Sequence, residues 1–217
     1  MSLEGGDWIG VASRKARIAA ASRFLTVPLP LVLDIINRIS DSKARYFTKL
    51  DVHWGYNNVR IKEGDKWKAT FHRMNWGLFE PLVMFFGLTN SLATFQTMMN
   101  DIFKDFIDEG YVAVYMDDIL VYTHMIEHHQ EVVTRVLDIL QKHRLYLKAE
   151  KCTFECTTVE YLGLVLSEGR VEMDPVKIAG VRDWLTLKNV TEVQSFVGFV
   201  NLYHRFIPEF SHVASPL

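Results

Sequence analysis

The sequence predicts an α+β fold organised around an antiparallel hairpin, on three observations. Two short apolar, β-favouring runs, 111–115 and 119–122, flank Met116, Asp117 and Asp118 closely enough to pair. Two long stretches carry apolar residues at helical spacing, one through Leu92, Phe95, Met98, Met99, Ile102, Phe103, Phe106 and Ile107, the other through Val132, Val133, Val136, Leu137 and Leu140. Strand-like and helical segments alternate without the regular crossover spacing of a doubly wound sheet, which favours an α+β layer.

The elements follow in order. Residues 1–27 hold Gly5, Gly6 and the cations Arg14, Lys15, Arg17 and Arg23 among alanines, with no clear period. Pro28 and Pro30 punctuate the chain ahead of a helix facing inward through Val32, Ile35, Ile36 and Ile39. Residues 46–51 read as a strand ending on the carboxylate of Asp51. Gly55 supplies a turn, residues 59–62 alternate apolar and basic, and 67–71 resume a strand-like pattern after the turn at Gly64 and Asp65. An apolar run, 81–86, closes on Gly87, and Thr89, Asn90 or Ser91 caps the first long helix, which Gly110 ends. The second long helix covers 126–142. Residues 152–154 and 159–166 read as strands, the latter with Gly163 inside it. The tail is helical, with Asp174 and Pro175 starting one helix and a capping box from Thr191 to Gln194 starting another.

Composition narrows the function classes. Hydrophobic residues are 49% and charged residues 23% of the 217, an ordinary balance for a globular chain, and no apolar run approaches a membrane span. The two cysteines, Cys152 and Cys156, form no disulfide framework, so a reducing, intracellular location is expected, not a secreted one. Their spacing lacks a second ligand pair, which argues against a metal site there. The net charge of −2 hides a strong asymmetry. Residues 43–73 carry eight Lys/Arg against three Asp/Glu, whereas 74–140 carry two against ten. An acidic centre flanked by basic segments suits cations in the middle and a polyanion at the sides, although solvated helix faces produce the same pattern.

Burying an ionised carboxylate without a partner costs several kcal/mol or more, so paired carboxylates in a fold are commonly bonded or bound to a metal. Asp117 and Asp118 also fit a plain solvated turn. Pairing the strand that ends at Asp51 with the hairpin would bring three carboxylates together, and a hard ion such as Mg²⁺ takes oxygen ligands of this kind. Among other candidates, His124, Glu127, His128 and His129 read as a solvated helix face, and Trp54, Trp67 and Trp76 as core packing or base stacking.

An ordered series of motifs carries a family resemblance. It comprises Phe47-Thr-Lys-Leu-Asp51, Gly55-Tyr56, Phe86-Gly87-Leu-Thr-Asn90, Ala93-Thr-Phe-Gln96 and Tyr115-Met-Asp117-Asp118. Lys151-Cys152 with Phe154, Tyr161-Leu-Gly163 and Asn201-Leu-Tyr-His-Arg205-Phe-Ile-Pro208 continue it, so that the likeness covers residues 28–217. The chain resembles the reverse transcriptase of gypsy-class long-terminal-repeat retrotransposons. The resemblance implies a right-hand polymerase fold: partial fingers in 1–45, a palm in 46–170 with further fingers strands at about 57–80, and thumb with the start of the connection in 171–217. It implies an RNA-directed DNA polymerase in which Asp51, Asp117 and Asp118 hold two Mg²⁺ ions, with Mn²⁺ as a substitute, for transfer from a deoxynucleoside triphosphate (dNTP) to a primer 3′-hydroxyl on an RNA or DNA template. Tyr56 would stack under the deoxyribose and exclude a 2′-hydroxyl, and Phe86 and Gly87 would line the dNTP pocket. Tyr115 and Met116 would touch the template-primer, and Leu162 and Gly163 would form the primer grip. The implied context is a fragment of a polyprotein with RNase H and integrase domains, in the cytoplasm within a virus-like particle or in the nucleus. The alternative is a catalytically silent retrotransposon remnant that at most binds nucleic acid. A two-metal nuclease would explain the carboxylates but not the series of motifs.

Overall fold

Three antiparallel sheets and seven α-helices make up the residues that the computed structural model describes, 30–201 and 203–215. The expectations for residues 1–29, including Arg14 and Lys15, lie outside the described residues. The first element of the described residues is α1 (Val32–Asp41), which buries Ile35, Ile36 and Ile39 as its spacing predicts and leads into β1 (Tyr46–Asp51). Two 3₁₀ turns, Gly55–Asn58 and Lys66–Ala69, lead to a hairpin of β2 (Phe71–Arg73) and β3 (Gly77–Phe79). The alternation at 59–62 forms no strand, only an isolated bridge between Arg60 and Val83, and the second 3₁₀ turn takes the place of the strand expected at 67–71.

The first long apolar stripe folds as α2 (Ser91–Ile102) and α3 (Lys104–Glu109), interrupted at Phe103 (φ −102°, ψ 14°). Gly110 ends α3 at φ 80°, a left-handed conformation in which a side chain is strained. Then come β4 (Val112–Tyr115), β5 (Asp118–Thr123) and α4 (Ile126–Lys142), the last two joined by a short connection. After a 3₁₀ turn, Ala149–Lys151, the chain adds β6 (Thr153–Cys156), and β7 (Thr158–Tyr161), β8 (Leu164–Ser167) and β9 (Arg170–Met173) form a separate meander.

The expected single strand at 159–166 is therefore a hairpin. Tyr161 pairs with Leu164, leaving Leu162 (φ 53°) and Gly163 (φ 77°) as a two-residue loop with both residues left-handed, the signature of a type I′ turn. The tail contains α5 (Pro175–Arg182), α6 (Val190–Asn201) and α7 (Phe210–Ala214). Asp174 caps α5 as expected, its carboxylate accepting from Val176 N at 2.8 Å. The capping box of α6 begins two residues earlier than expected. Glu192 N donates to Asn189 Oδ1 at 2.9 Å, and Glu192 Oε2 accepts from Lys188 N at 2.7 Å.

The central sheet has the order β4-β5-β1-β6, with both faces covered. Strand alternation sends Leu50, Val112, Val114, Ile119 and Val121 into a core with Phe95, Met99, Val132, Val136 and Leu140 of α2 and α4. The opposite face sends Phe47, Ala113, Leu120 and Tyr122 against Ile35, Ile36 and Ile39 of α1 and against Val159, Tyr161, Leu164 and Leu166 of the meander. Burying a large aliphatic or aromatic side chain contributes roughly 1.5–3 kcal/mol, so the two faces together pin the register of β1 against β5. Among the described residues, no helix is long and apolar enough to cross a membrane.

Candidate active site

Register brings the carboxylates together. In the β1–β5 pairing Asp51 lies opposite Asp118, and in the β4–β5 pairing Tyr115 lies opposite Asp118. Directly paired residues share a face with Cβ atoms roughly 4.5–5.5 Å apart. Met116 and Asp117 form the tip of the hairpin, and Val52 N donates to Asp117 O at 2.8 Å, tying that tip to the end of β1. Met116 adopts φ 56°, a left-handed conformation costing about 1–2 kcal/mol for a residue with a side chain.

The side chain of Gln96 on α2 holds this strained tip. It is fully buried, its Oε1 accepts from Met116 N at 2.7 Å, and its Nε2 donates to Val114 O at 3.1 Å and Asn100 Oδ1 at 2.8 Å. Gly55 completes the enclosure. A Cβ at that position would overlap Asp117 Oδ1 and the Phe95 ring, so the chain passes the carboxylate more closely than any side chain permits.

The three carboxylates have different surroundings. Asp117 Oδ1 is buried without a hydrogen-bond partner. Burial, with the charges of Asp51 and Asp118 added, pushes its carboxyl up to about 6, against a smaller opposing pull from Lys151. Asp118 is also raised, first by burial and then by Asp51, while Lys49 opposes the shift with Nζ 3.8 Å from Asp118 Oδ1. Asp51 Oδ2 accepts from Lys151 Nζ at 3.1 Å. These mutual effects put the three groups within electrostatic reach of one another. Among the described residues, however, no group of three or more His, Cys, Asp and Glu side chains has closed to metal-holding geometry. Two lysines supply the local positive charge instead. An orphaned, buried carboxylate oxygen among oxygen donors nonetheless fits a hard divalent cation, which would satisfy the acceptor that the protein leaves open.

A cavity of about 380 Å³ adjoins these groups, lined among others by Asp51, Tyr56, Phe86, Asp117, Lys148 and Lys151. The ring of Tyr56 is buried against Phe86 and Phe95, with centroids 4.5 and 4.9 Å away, and its hydroxyl lies 4.0 Å from Met116 Sδ. Burial, reinforced by the nearby charge of Asp117, pushes the Tyr56 phenol up to about 12. Phe86 is exposed, and Gly87 beside it has φ 103°, a backbone conformation that requires glycine. Leu162 and Gly163 lie elsewhere, at the tip of the β7–β8 hairpin. Tyr161 beside them donates its hydroxyl to Asp118 O at 3.4 Å, and a Cβ on Gly163 would come 3.2 Å from the Tyr203 hydroxyl.

Several expectations change here. His129 is fully buried, not part of a solvated face. Its Nε2 lies 2.7 Å from Thr48 Oγ1 on β1 and its Nδ1 lies 3.1 Å from Thr123 Oγ1 on β5. Its spacing to Val132, Val133 and Val136 puts it on the buried stripe of α4, a signal the sequence did contain. Trp54, Trp67 and Trp76 are exposed at 72%, 63% and 69%, so core packing does not account for them. Gln96, Lys49 and Lys151 stand in the motif series, but the contacts of Gln96 with Met116, Lys49 with Asp118 and Lys151 with Asp51 were not foreseen, because each spans 20 to 100 residues.

Residues 18–166 match the family described as reverse transcriptase (RNA-dependent DNA polymerase). The chain is 34% identical over 193 residues to the retrovirus-related Pol polyprotein from transposon opus of Drosophila melanogaster, covering 88% of this chain and 19% of that one. It is 35% identical over 190 residues to the transposon Tf2-3 polyprotein of Schizosaccharomyces pombe, covering 88% of this chain and 14% of that one. The chain thus spans less than a fifth of these relatives. Among solved structures it resembles a foamy viral protease-reverse transcriptase in complex with double-stranded DNA, with TM-score 0.76 and 21% identity over 84% of this chain and 32% of that one. A foamy viral protease-reverse transcriptase in complex with an RNA/DNA hybrid gives TM-score 0.73 and 18% identity over 89% of this chain and 26% of that one. These likenesses identify the right-hand polymerase fold. The relatives at 34–35% identity are transposon polyproteins, and the family match across most of the length establishes that the chain belongs to the reverse transcriptase (RNA-dependent DNA polymerase) family.

Proposed function

We propose that this chain is the polymerase portion of a gypsy-class retrotransposon polyprotein and extends a primer with dNTPs on an RNA or DNA template. The observation that carries the reading is the register of Asp51 against Asp118, with the orphaned acceptor of Asp117 on the turn between β4 and β5. Asp51, Asp117 and Asp118 would hold two divalent ions, Mg²⁺ or Mn²⁺. Such ions, when bound, lower the pKa of the primer hydroxyl and stabilise the leaving pyrophosphate. The protein's own contribution is position and charge. Gln96 fixes the hairpin tip that presents Asp117, and Gly55 admits its carboxylate at close range. Tyr56, wedged between Phe86 and Phe95, offers a rigid aromatic floor for a deoxyribose in the adjoining cavity, which Phe86 lines, and Phe86 with Gly87 beside it would form the wall of the dNTP pocket. Tyr115 and Met116, beside the carboxylates, would meet the primer end, and Leu162 and Gly163 would grip the primer.

Residues 46–170 would serve as palm, with fingers strands at about 57–80, and 171–217 as thumb and the start of the connection. RNase H and integrase domains of the parent polyprotein would be its covalent partners, and the cytoplasm, within a virus-like particle, or the nucleus its location. The test is primer extension on an RNA template with Mg²⁺ or Mn²⁺. Wild type extends, and Asp117→Asn and Asp51→Asn each abolish extension while primer-template binding persists. Binding without extension by wild type would favour a silent remnant, and retained extension by Asp51→Asn would remove Asp51 from the metal site.

A further inference from the structure

The Lys151-Cys152 motif has no role in the function as proposed, yet it reaches the carboxylates directly. Lys151 ends the 3₁₀ turn Ala149–Lys151, and that turn is bonded to the last residue of β1: Lys148 N donates to Asp51 O at 2.9 Å. Cys152 N donates to Ala149 O at 3.1 Å and the Cys152 thiol to Lys148 O at 3.3 Å, which closes the turn. The backbone therefore delivers Lys151 to Asp51, and its Nζ takes the Oδ2 lone pair that a cation would need. The side chain of Lys151 is more than half exposed at 56%, so it has room to leave, whereas that of Asp51 is 17% exposed.

We propose that Lys151 is the resident counter-cation of the metal-free site, bound to Asp51 until a divalent ion displaces it, and that this competition sets the site's metal affinity. The inference rests on Asp51 being a metal ligand. Lys151 thereby positions Asp51 in the empty state and opposes premature occupancy.

Binding of Mn²⁺ to the full chain, read from the electron paramagnetic resonance signal of the free ion, tests this without any turnover. Exposed ion pairs are modest, so Lys151→Met is expected to bind Mn²⁺ on the order of three- to tenfold more tightly than wild type. Lys148→Met removes an equal charge from the same cavity, but the Lys148 ammonium pairs with Glu150 rather than with the Asp51 carboxylate, and the variant's affinity should change by less than about twofold. Lys151→Arg, which keeps the charge, stays near wild type. Equal tightening in Lys151→Met and Lys148→Met, or none in either, overturns the proposal. A second readout is acylation of Lys151 by acetic anhydride, mapped by peptide mass. It rises when Mn²⁺ saturates the wild type, and an unchanged rate overturns the displacement step. If Asp51→Asn binds Mn²⁺ as wild type does, the metal assignment of Asp51 fails on its own account. If Asp51→Asn loses binding while Lys151→Met is unaltered, only the counter-cation role fails.

Discussion

Replacing Asp117 with Asn removes a charge that the metal-free fold holds against its preference. Its carboxyl stands at about 6, against an ordinary 3.8, because burial and the neighbouring Asp51 and Asp118 disfavour ionisation. A shift of about two units corresponds to roughly 3 kcal/mol of disfavoured ionisation. The side chain is partly open to water, so screening reduces this to roughly 1–1.5 kcal/mol. Asp117→Asn should therefore be more stable than wild type at pH 8 in a chelator, by about 3–5 °C in melting temperature for a chain of this length. The sign follows from proton uptake. Between about pH 4 and 6 the folded wild type binds more protons than the unfolded chain, so the penalty is complete above the folded pKa and disappears as pH falls towards the unfolded one. The gap between variant and wild type should thus be full at pH 8, smaller at pH 5, and reversed by saturating Mg²⁺, which stabilises only the protein that binds it. Thermal and urea melts at both pH values, with chelator and with Mg²⁺, measure it. A variant no more stable than wild type at pH 8 in chelator, or a gap indifferent to pH, would refute the electrostatic account of the site.

Two further substitutions probe the frame. Gly55→Ala forces a Cβ onto Asp117 Oδ1 and the Phe95 ring, so it should cost about 1–3 kcal/mol and weaken Mn²⁺ binding as the carboxylate is driven aside; unaltered melting and Mn²⁺ titration would contradict the close approach. His129→Ala leaves a cavity and strips the Thr48 and Thr123 hydroxyls of a partner, with an expected loss of about 2–3 kcal/mol in urea unfolding. Burial lowers the His129 pKa, helped by His128 and opposed by Glu155. Its stabilising contribution is complete above the unfolded value of 6.5 and is lost as pH falls below it towards the folded one. Wild type should accordingly lose stability relative to His129→Ala between pH 7 and 5, opposite in sign to the Asp117 effect and separable by comparing each variant with wild type.

Legibility followed the range of the interactions. β1 and α4 match their expected bounds, α4 because its apolar residues keep the 3.6-residue period through Val132, Val133, Val136 and Leu140. The break at Phe103 was hidden because α2 and α3 keep one continuous apolar stripe, and a stripe does not register a local change of ψ. The β7–β8 turn was hidden because Leu162 takes the left-handed position where asparagine, aspartate or glycine would have announced a type I′ loop. For α6, Asn189 with Glu192 and Thr191 with Gln194 both fit a capping box, and only the hydrogen bonds distinguish them.

The site divides along the same line. Asp51, Asp117 and Asp118 were nameable because an ordered series of motifs surrounds them, but their electrostatic state depends on pairs no local window contains. Lys151 meets Asp51 across 100 residues, Gln96 meets Met116 across 20, and Gly55 meets Asp117 only because β1 and the β4–β5 hairpin are packed on a common core. A motif can therefore say which acids stand together without saying what neutralises them. Here the neutralising charge is uneven: Lys151 on Asp51, Lys49 near Asp118, and a buried oxygen of Asp117 with no partner. That imbalance makes Asp117 the carboxylate with most to gain from a bound cation and Asp51 the one that must first give up a lysine.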